Sequence, residues 1–287
     1  MSGGAPVDTR TRPPVLLLTG IGLTAAVALR VVAALEPHFR VLSAPLSAVG
    51  DGKTADDLAV TTANDLAVTT ADDAVAMLDA AGVAQAHVVG LSFGGVIAQE
   101  VAIGHPERVS SLVLGSSTAG GKLYVAPERP IRQFLWRLHD WPAEEGLWAA
   151  VPYLYAQTTC LRDGPRVGED IARRLARPLD PRSYRAQHSI ARAHDTATRL
   201  AEISAPTLVV HGEQDRVLPL DNGRRLAAGI TGAQLIELPA GAHAFPTDVT
   251  DAARELVSFL LAHSQPRGRP RAMRRPPATR NARAGRA

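Results

Sequence analysis

The chain has 287 residues, of which 46% are hydrophobic and 21% are charged, and this length favours one globular domain, or one domain with an insertion. The composition excludes a wholly disordered chain, a collagen-like chain and a disulfide-stapled fold. The single cysteine, Cys160, excludes an internal disulfide and a thiolate zinc cluster, and it predicts a reducing, cytoplasmic location.

The formal charge of +3 comes from the C-terminal segment. Residues 266–287 contain eight arginines and no acidic residue, whereas the remainder of the chain has 23 basic and 28 acidic side chains. Because residues 264–287 are rich in proline and arginine and lack an apolar period, we predict a disordered tail. Arginine-rich segments can bind nucleic acid or anionic lipid. Nothing else in the sequence supports such a role, so we expect neither a nucleic-acid nor a membrane partner.

The N-terminal region predicts a strand, a glycine-containing loop and a helix. After a flexible leader over residues 1–13, the apolar run Val15–Thr19 is typical of a buried strand, and the following helix ends near Glu36. The mostly apolar stretch Val15–Leu29 also has the length of a secretory h-region, although it is too short to span a membrane. Gly20 within this stretch favours the strand–loop–helix interpretation.

An eight-residue repeat follows this region. Asp57–Asn64 reads DLAVTTAN, and Asp65–Asp72 reads DLAVTTAD. Eight residues rotate an α-helix by about 80° beyond two turns, so the two copies do not present the same face to one partner. The period is also far below that of solenoid repeats. We therefore interpret the repeat as a local duplication without a function of its own.

The rest of the chain alternates apolar strand patterns with helical patterns. The predicted strands are Arg40–Leu46, Ala86–Leu91, Val109–Leu114, Thr207–His211 and Gln234–Leu238. The predicted helices are a long one that ends near Ala81, then Gly94–Ile103, Asn222–Gly229 and Val249–Ala262. This alternation predicts an α/β fold with parallel strands and helices on both faces of the sheet.

Residues 118–203 interrupt this alternation. They contain eight of the twelve aromatic residues of the chain and no clear strand pattern. We predict that they form a helical cap, inserted into a core that consists of residues 14–117 and 204–263.

The strongest chemical motif is Gly90-Leu91-Ser92-Phe93-Gly94, which follows an apolar strand and precedes a helix. This is the context of a nucleophile elbow, in which serine occupies a sharp, strained turn. Glycines two residues to either side remove side chains that would collide there. The motif predicts that the Ser92 hydroxyl projects above the sheet at the N-terminus of the helix.

A serine hydroxyl needs a base at neutral pH, and His243 has the most suitable context among the nine histidines. It follows the last predicted strand, so it should lie at the carboxyl edge of the sheet, where Ser92 also emerges. His87 and His211 fall near or within strands and are interpreted as structural.

The base needs a carboxylate that orients it. Asp215 follows the penultimate strand in the motif Gly212-Glu213-Gln214-Asp215, and Glu213 is its nearest rival. The resulting chain order is Ser92, Asp215, His243, which is the order associated with a nucleophile elbow.

These motifs resemble the α/β-hydrolase fold superfamily, in particular its small serine esterases, lactonases, C–C hydrolases and cofactor-free perhydrolases. The resemblance covers about residues 13–263. It implies a mostly parallel eight-stranded sheet with helices on both faces, and a helical cap inserted after the sixth strand. It implies neither a metal nor a nucleotide cofactor, and we expect none.

The resemblance also implies an oxyanion hole made of the backbone N–H groups of Ile21 and Phe93. The sequence departs from the family pattern at two places. The first strand ends in Thr19 rather than the usual histidine, which leaves the backbone donors in place. The loop Ala44–Gly50 lacks the glycine-rich pattern common in the family, which leaves the substrate range open.

The sequence therefore predicts a serine hydrolase that acts on a small carboxylic ester or lactone through an acyl-enzyme. A C–C bond hydrolase or a cofactor-free perhydrolase would use the same triad, and a non-catalytic small-molecule receptor would use the same fold. Trp136, Trp141, Trp148 and Tyr153 are candidates to line an apolar substrate pocket. The alternative is that these aromatic side chains pack the cap onto the core.

Overall fold

The computed structural model describes residues 11–21, 28–43, 63–178 and 181–264. Several sequence-based predictions lie wholly or partly outside these residues. They concern the leader over residues 1–10, the loop 44–50, the first copy of the repeat up to residue 62, and the tail from residue 265.

Six strands of the described residues form one sheet. They are β1 (Pro14–Leu18), β2 (Arg40–Leu42), β3 (Ala86–Leu91), β4 (Val109–Gly115), β5 (Thr207–Gly212) and β6 (Gln234–Leu238). The strand order is β2-β1-β3-β4-β5-β6, and all five pairings are parallel. This arrangement confirms the predicted parallel α/β sheet.

The described residues form six strands, whereas the resemblance implied eight for the whole sheet. The cap region, residues 118–203, follows the fourth of the six described strands.

The helices fall into two groups. The first group surrounds the sheet and consists of α1 (Leu29–Leu35), α2 (Ala63–Ala80), α3 (Phe93–Gly104), α9 (Asp221–Gly229), α10 (Phe245–Asp248) and α11 (Ala252–Ala262). The second group belongs to the cap region and consists of α4 (Arg129–Arg137), α5 (Ala143–Leu154), α6 (Gln157–Arg162), α7 (Gly164–Leu175) and α8 (Pro181–Ala193). No helix of the described residues combines the length and the hydrophobicity needed to cross a bilayer.

Both faces of the sheet are buried, as expected for parallel strands. Along β1, Leu16 and Leu18 pack into the cluster that also contains buried residues of α2, α3 and α9. The alternate residues Val15 and Leu17 pack into the opposite cluster with α1 and α11. The side-chain period of two therefore places one layer of helices on each face.

The turn between β3 and α3 brings backbone against backbone. A Cβ atom on Gly94 would lie 2.1 Å from the carbonyl oxygen of Leu18, and one on Gly90 would lie 2.5 Å from the carbonyl oxygen of Gly94. Glycine is required at both positions because no side-chain atom fits there. The first turn of α3 thus rests directly on the end of β1.

We expect Gly94→Ala to lower the free energy of unfolding by about 2 kcal/mol or more, because the new methyl group meets backbone atoms. Gly104→Ala, at the other end of α3, is the matched control. Its Cβ would meet no atom within 4 Å, so it should be neutral or should stabilise the helix by up to about 1 kcal/mol. Urea denaturation of both variants tests this, and equal midpoints would contradict the close contact.

Candidate active site

Ser92 occupies a strained turn at the carboxyl end of β3. Its backbone has φ 54° and ψ −117°, which is the left-handed side of conformational space that non-glycine residues seldom adopt. The turn is held by a hydrogen bond from Ser92 N to Gly115 O at 2.8 Å and by one from Gly95 N to Ser92 O at 2.9 Å. Ser117 Oγ donates a further hydrogen bond to Ser92 O at 2.9 Å.

His243 lies on the loop between β6 and α10, with its ring between a hydroxyl group and a carboxylate. Its Nε2 atom is 2.9 Å from Ser92 Oγ, and its Nδ1 atom is 2.8 Å from Asp215 Oδ2. With the proton on Nδ1, the ring donates to Asp215 and accepts from Ser92. This tautomer is the one that a general base for Ser92 requires.

Asp215 follows β5, and its side chain is fully buried. Its Oδ1 atom accepts hydrogen bonds from Val217 N at 2.9 Å and from Leu218 N at 2.8 Å. Burial alone would raise the pKa of this carboxyl group. The charge of His243 and hydrogen bonds from His211 and His243 outweigh burial and hold the pKa well below its usual range.

Glu213 and His211 lie near Asp215 in the chain, but only His211 contacts its side chain. Glu213, the rival for the acid role, is exposed, and no ion pair joins it to His243 within the described chain. His211 is buried, and its Nε2 atom lies 2.8 Å from Leu218 O and 3.4 Å from Asp215 Oδ2. His211 therefore supports the loop that carries Asp215.

The two candidate oxyanion donors, Ile21 and Phe93, follow β1 and β3 in the chain. Ile21 follows β1 and lines the cavity beside Ser92. Phe93 is the first residue of α3 and is buried, so its N–H group belongs to the first helical turn, which has no intrahelical acceptor. The Phe93 amide thus has no intrahelical acceptor, and we propose Ile21 N and Phe93 N as the donors that bind an anion.

The loop that carries His243 is tied to the cap region. Ala244 N donates to Leu154 O at 2.7 Å. Asp248 accepts from Ala242 N at 2.8 Å and from Ala156 N at 3.0 Å, so one carboxylate joins the His243 loop to the start of α6. The sequence analysis did not identify this link, because the partners are backbone groups distant in the chain.

A cavity of about 640 Å³ lies between the cap region and the sheet edge, and Ser92 and His243 line it. Most of its lining surface is apolar. The cap region contributes Leu135, Leu138, Leu147, Ala150 and Leu154, and the core contributes Val31, Leu91 and Val217. A mostly apolar cavity with a few polar groups is the usual form of a small-molecule site.

The structure separates the four aromatic residues that were predicted to bind substrate. Trp141 lines the cavity. Trp136 and Trp148 are not among the lining residues, and each exposes more than 40% of its surface. Tyr153 packs against Phe134 instead, with its ring centroid 5.2 Å from the Arg216 guanidinium carbon. These three residues therefore do not line this cavity, and composition does not show which helix face turns inward.

Charged residues that the sequence analysis did not assign also line the cavity: Arg30, Asp170 and Arg174. Arg30 pairs with Glu169 at 3.2 Å and lies 3.8 Å from Asp170. Asp170 also accepts a hydrogen bond from Thr247 Oγ1 at 2.5 Å. Arg174 has no acidic partner within 4 Å in the described parts of the chain. The sequence did contain one signal for such a residue in the cavity: Arg30 is the charged residue of the otherwise apolar helix α1.

Comparison with known proteins places the chain in a family. Residues 13–248 match the family described as alpha/beta hydrolase fold. The chain is 33% identical over 196 residues to RutD of Variovorax paradoxus (strain S110), which is provisionally named a carbamate hydrolase; the match covers 66% of this chain and 71% of that protein.

The chain is also similar to a second named hydrolase and to a solved hydrolase structure. A 2-hydroxy-6-oxo-6-phenylhexa-2,4-dienoate hydrolase of Comamonas testosteroni is 34% identical over 162 residues, which cover 55% of this chain and 56% of that protein. The solved structure of a hydrolase from Pseudomonas aeruginosa PA01 is 27% identical, with a TM-score of 0.70 and coverage of 87% and 90%. Because the family match extends over most of its length, the chain belongs to the α/β-hydrolase fold family.

Proposed function

We propose that the protein is a serine hydrolase of small carboxylic esters or lactones, with Ser92, His243 and Asp215 as its catalytic triad. The observation that carries this proposal is the continuous hydrogen-bonded series from Ser92 Oγ through His243 to Asp215, at 2.9 and 2.8 Å. These distances lie in the range that proton transfer between a nucleophile and its base requires.

In the proposed reaction, Ser92 Oγ attacks the substrate carbonyl carbon and its proton passes to His243 Nε2. Asp215 stabilises the imidazolium that forms and keeps Nδ1 protonated. The N–H groups of Ile21 and Phe93 bind the oxyanion, a contact whose loss typically costs about 10²–10³ in rate. His243 then protonates the leaving oxygen. Water, activated by the same histidine, hydrolyses the acyl-enzyme and restores Ser92.

A second candidate is hydrolysis of a C–C bond in a carboxylate-bearing ketone, and Arg174 is the observation that favours it. Among the charged residues that line the cavity, Arg30 forms ion pairs with Glu169 and with Asp170. Arg174, in contrast, has no acidic partner within the described residues. A substrate carboxylate would supply that partner. The Comamonas testosteroni relative is named for a dienoate, which carries a carboxylate.

A fluorophosphonate probe is expected to label the wild-type protein at one site, since the Ser92–His243 pair activates the hydroxyl group for attack on phosphorus. Ser92→Ala should abolish labelling while the melting temperature changes little. Peptide mass spectrometry locates the modified residue. Modification of a different serine would refute the assignment of the nucleophile.

Asp215→Asn is expected to lower kcat by about 10⁴, because the amide cannot hold the required tautomer of His243. Glu213→Gln is the matched control, since it neutralises an exposed acid two residues away and should leave kcat within twofold. Hydrolysis of p-nitrophenyl butyrate measures kcat, and circular dichroism checks the fold. A comparable loss in both variants would remove Asp215 from the acid role.

Arg174→Gln separates the two candidate functions. If Arg174 binds a substrate carboxylate, KM for 2-hydroxy-6-oxo-6-phenylhexa-2,4-dienoate should rise about tenfold, the effect of losing a hydrogen bond to a charged group. Hydrolysis of p-nitrophenyl butyrate should change less than twofold. Arg177→Gln, an exposed arginine just beyond α7, is the matched control. Absence of dienoate hydrolysis by the wild type would rule out the second candidate.

A further inference from the structure

A second serine, Ser116, lies beside Ser92 at the edge of the sheet. Strands β3 and β4 pair with Leu91 opposite Gly115, so the next residues along the two strands are Ser92 and Ser116. Both residues line the cavity. The hydrogen bond from Ser92 N to Gly115 O at 2.8 Å fixes the two strand ends against each other.

The backbone of Ser116 is strained. Its φ is +44°, and Ser92 and Ser116 are the two non-glycine residues with positive φ in the described parts of the chain. Such a conformation disfavours any residue with a Cβ atom, and it concentrates at functional sites. Glycine would adopt the same turn without strain.

The Ser116 hydroxyl group is buried and has no hydrogen-bond partner within the described structure. The residue exposes 2% of its surface. Its backbone N–H is satisfied by Val210 O at 2.9 Å, and the next hydroxyl group, that of Ser117, donates to Ser92 O at 2.9 Å. A buried hydroxyl without a partner is destabilising. The strain and the unpaired hydroxyl group therefore fall on the same residue, next to the nucleophile.

We propose that Ser116 is a substrate-contacting residue whose hydroxyl group donates a hydrogen bond to an oxygen atom of the bound substrate. This inference rests on the proposed function, because it places the substrate carbonyl at Ser92. It also narrows the substrate class. A pure hydrocarbon acyl chain would leave the hydroxyl group unpaired, whereas a substrate with a second oxygen near the reacting carbonyl would pair it. The favoured class is thus oxygen-substituted esters or lactones.

Two esters of nearly equal shape test this preference. p-Nitrophenyl butyrate and p-nitrophenyl methoxyacetate differ in one methylene group, which is an ether oxygen in the second ester. For Ser116→Gly we expect kcat/KM on the methoxyacetate to fall about tenfold and kcat/KM on the butyrate to fall less than threefold. The melting temperature should stay the same or rise, since glycine relieves both the strain and the unpaired hydroxyl group.

Two further variants separate the hydroxyl group from the backbone. Ser116→Ala keeps the strain and removes the donor, so it should show the same kinetic loss as Ser116→Gly but a melting temperature lower than that of Ser116→Gly. Ser116→Asn tolerates positive φ and carries an amide donor, so it should restore part of the activity on the methoxyacetate.

The outcomes distinguish this inference from the proposed function. Absence of fluorophosphonate labelling in the wild type would defeat the proposed function itself. With a labelled wild type, a larger fall on the methoxyacetate supports the contact to an acyl-side oxygen. An equal fall on both esters would overturn the preference for oxygen-substituted acyl groups and would place the contact at the carbonyl or leaving-group oxygen. If Ser116→Gly keeps kcat/KM within twofold on both esters, the Ser116 hydroxyl group does not contact the substrate and the inference is overturned.

Discussion

The contact between the first turn of α3 and the end of β1 determines where the candidate nucleophile can be. With Gly94 against the Leu18 carbonyl group, there is no space for a side chain between the helix and the strand. The turn that connects β3 to α3 must therefore be sharp, and Ser92 takes up the strain at φ 54°. Because all six strands are parallel, the segments that follow β5 and β6 emerge at the same edge. From that edge, His243 reaches Ser92 and Asp215 reaches His243.

The position of His243 depends on the cap region as well as on the sheet. Asp248 joins the backbone of Ala242 to that of Ala156, and Thr247 donates to Asp170 on α7. Asp170 and Arg30 in turn join the cap region to α1. A displacement of the cap would break the hydrogen bonds of Ala244, Thr247 and Asp248, which follow His243 in the chain. The cap region therefore encloses the cavity and also stabilises the loop that holds the candidate base.

Periodicity and strand-end position were sufficient to predict the alternating fold, and the observed bounds of β3 and β6 coincide with the predicted ones. The same reasoning selected Ser92, Asp215 and His243, which the structure brings within hydrogen-bonding distance. Contacts that depend on tertiary packing had no comparable signal. Trp148 belongs to a helix whose inward face is set by its neighbours, and composition alone cannot indicate that face. No local sequence pattern indicates the positive φ of Ser116, which follows the last residue of β4.

The carboxyl edge of the sheet concentrates features that reduce stability. Two non-glycine residues with positive φ, Ser92 and Ser116, lie side by side there, and one of them carries a buried hydroxyl group without a partner. Beneath them, most aliphatic side chains of the central strands β1, β3, β4 and β5 are buried, so the rest of the sheet offsets this cost. Natural proteins tolerate such local cost where activity requires it. Ser92 and Ser116, rather than the size of the cavity, therefore indicate where a substrate should bind. A bound ligand would supply the hydrogen-bond partner that the Ser116 hydroxyl group lacks within the described structure.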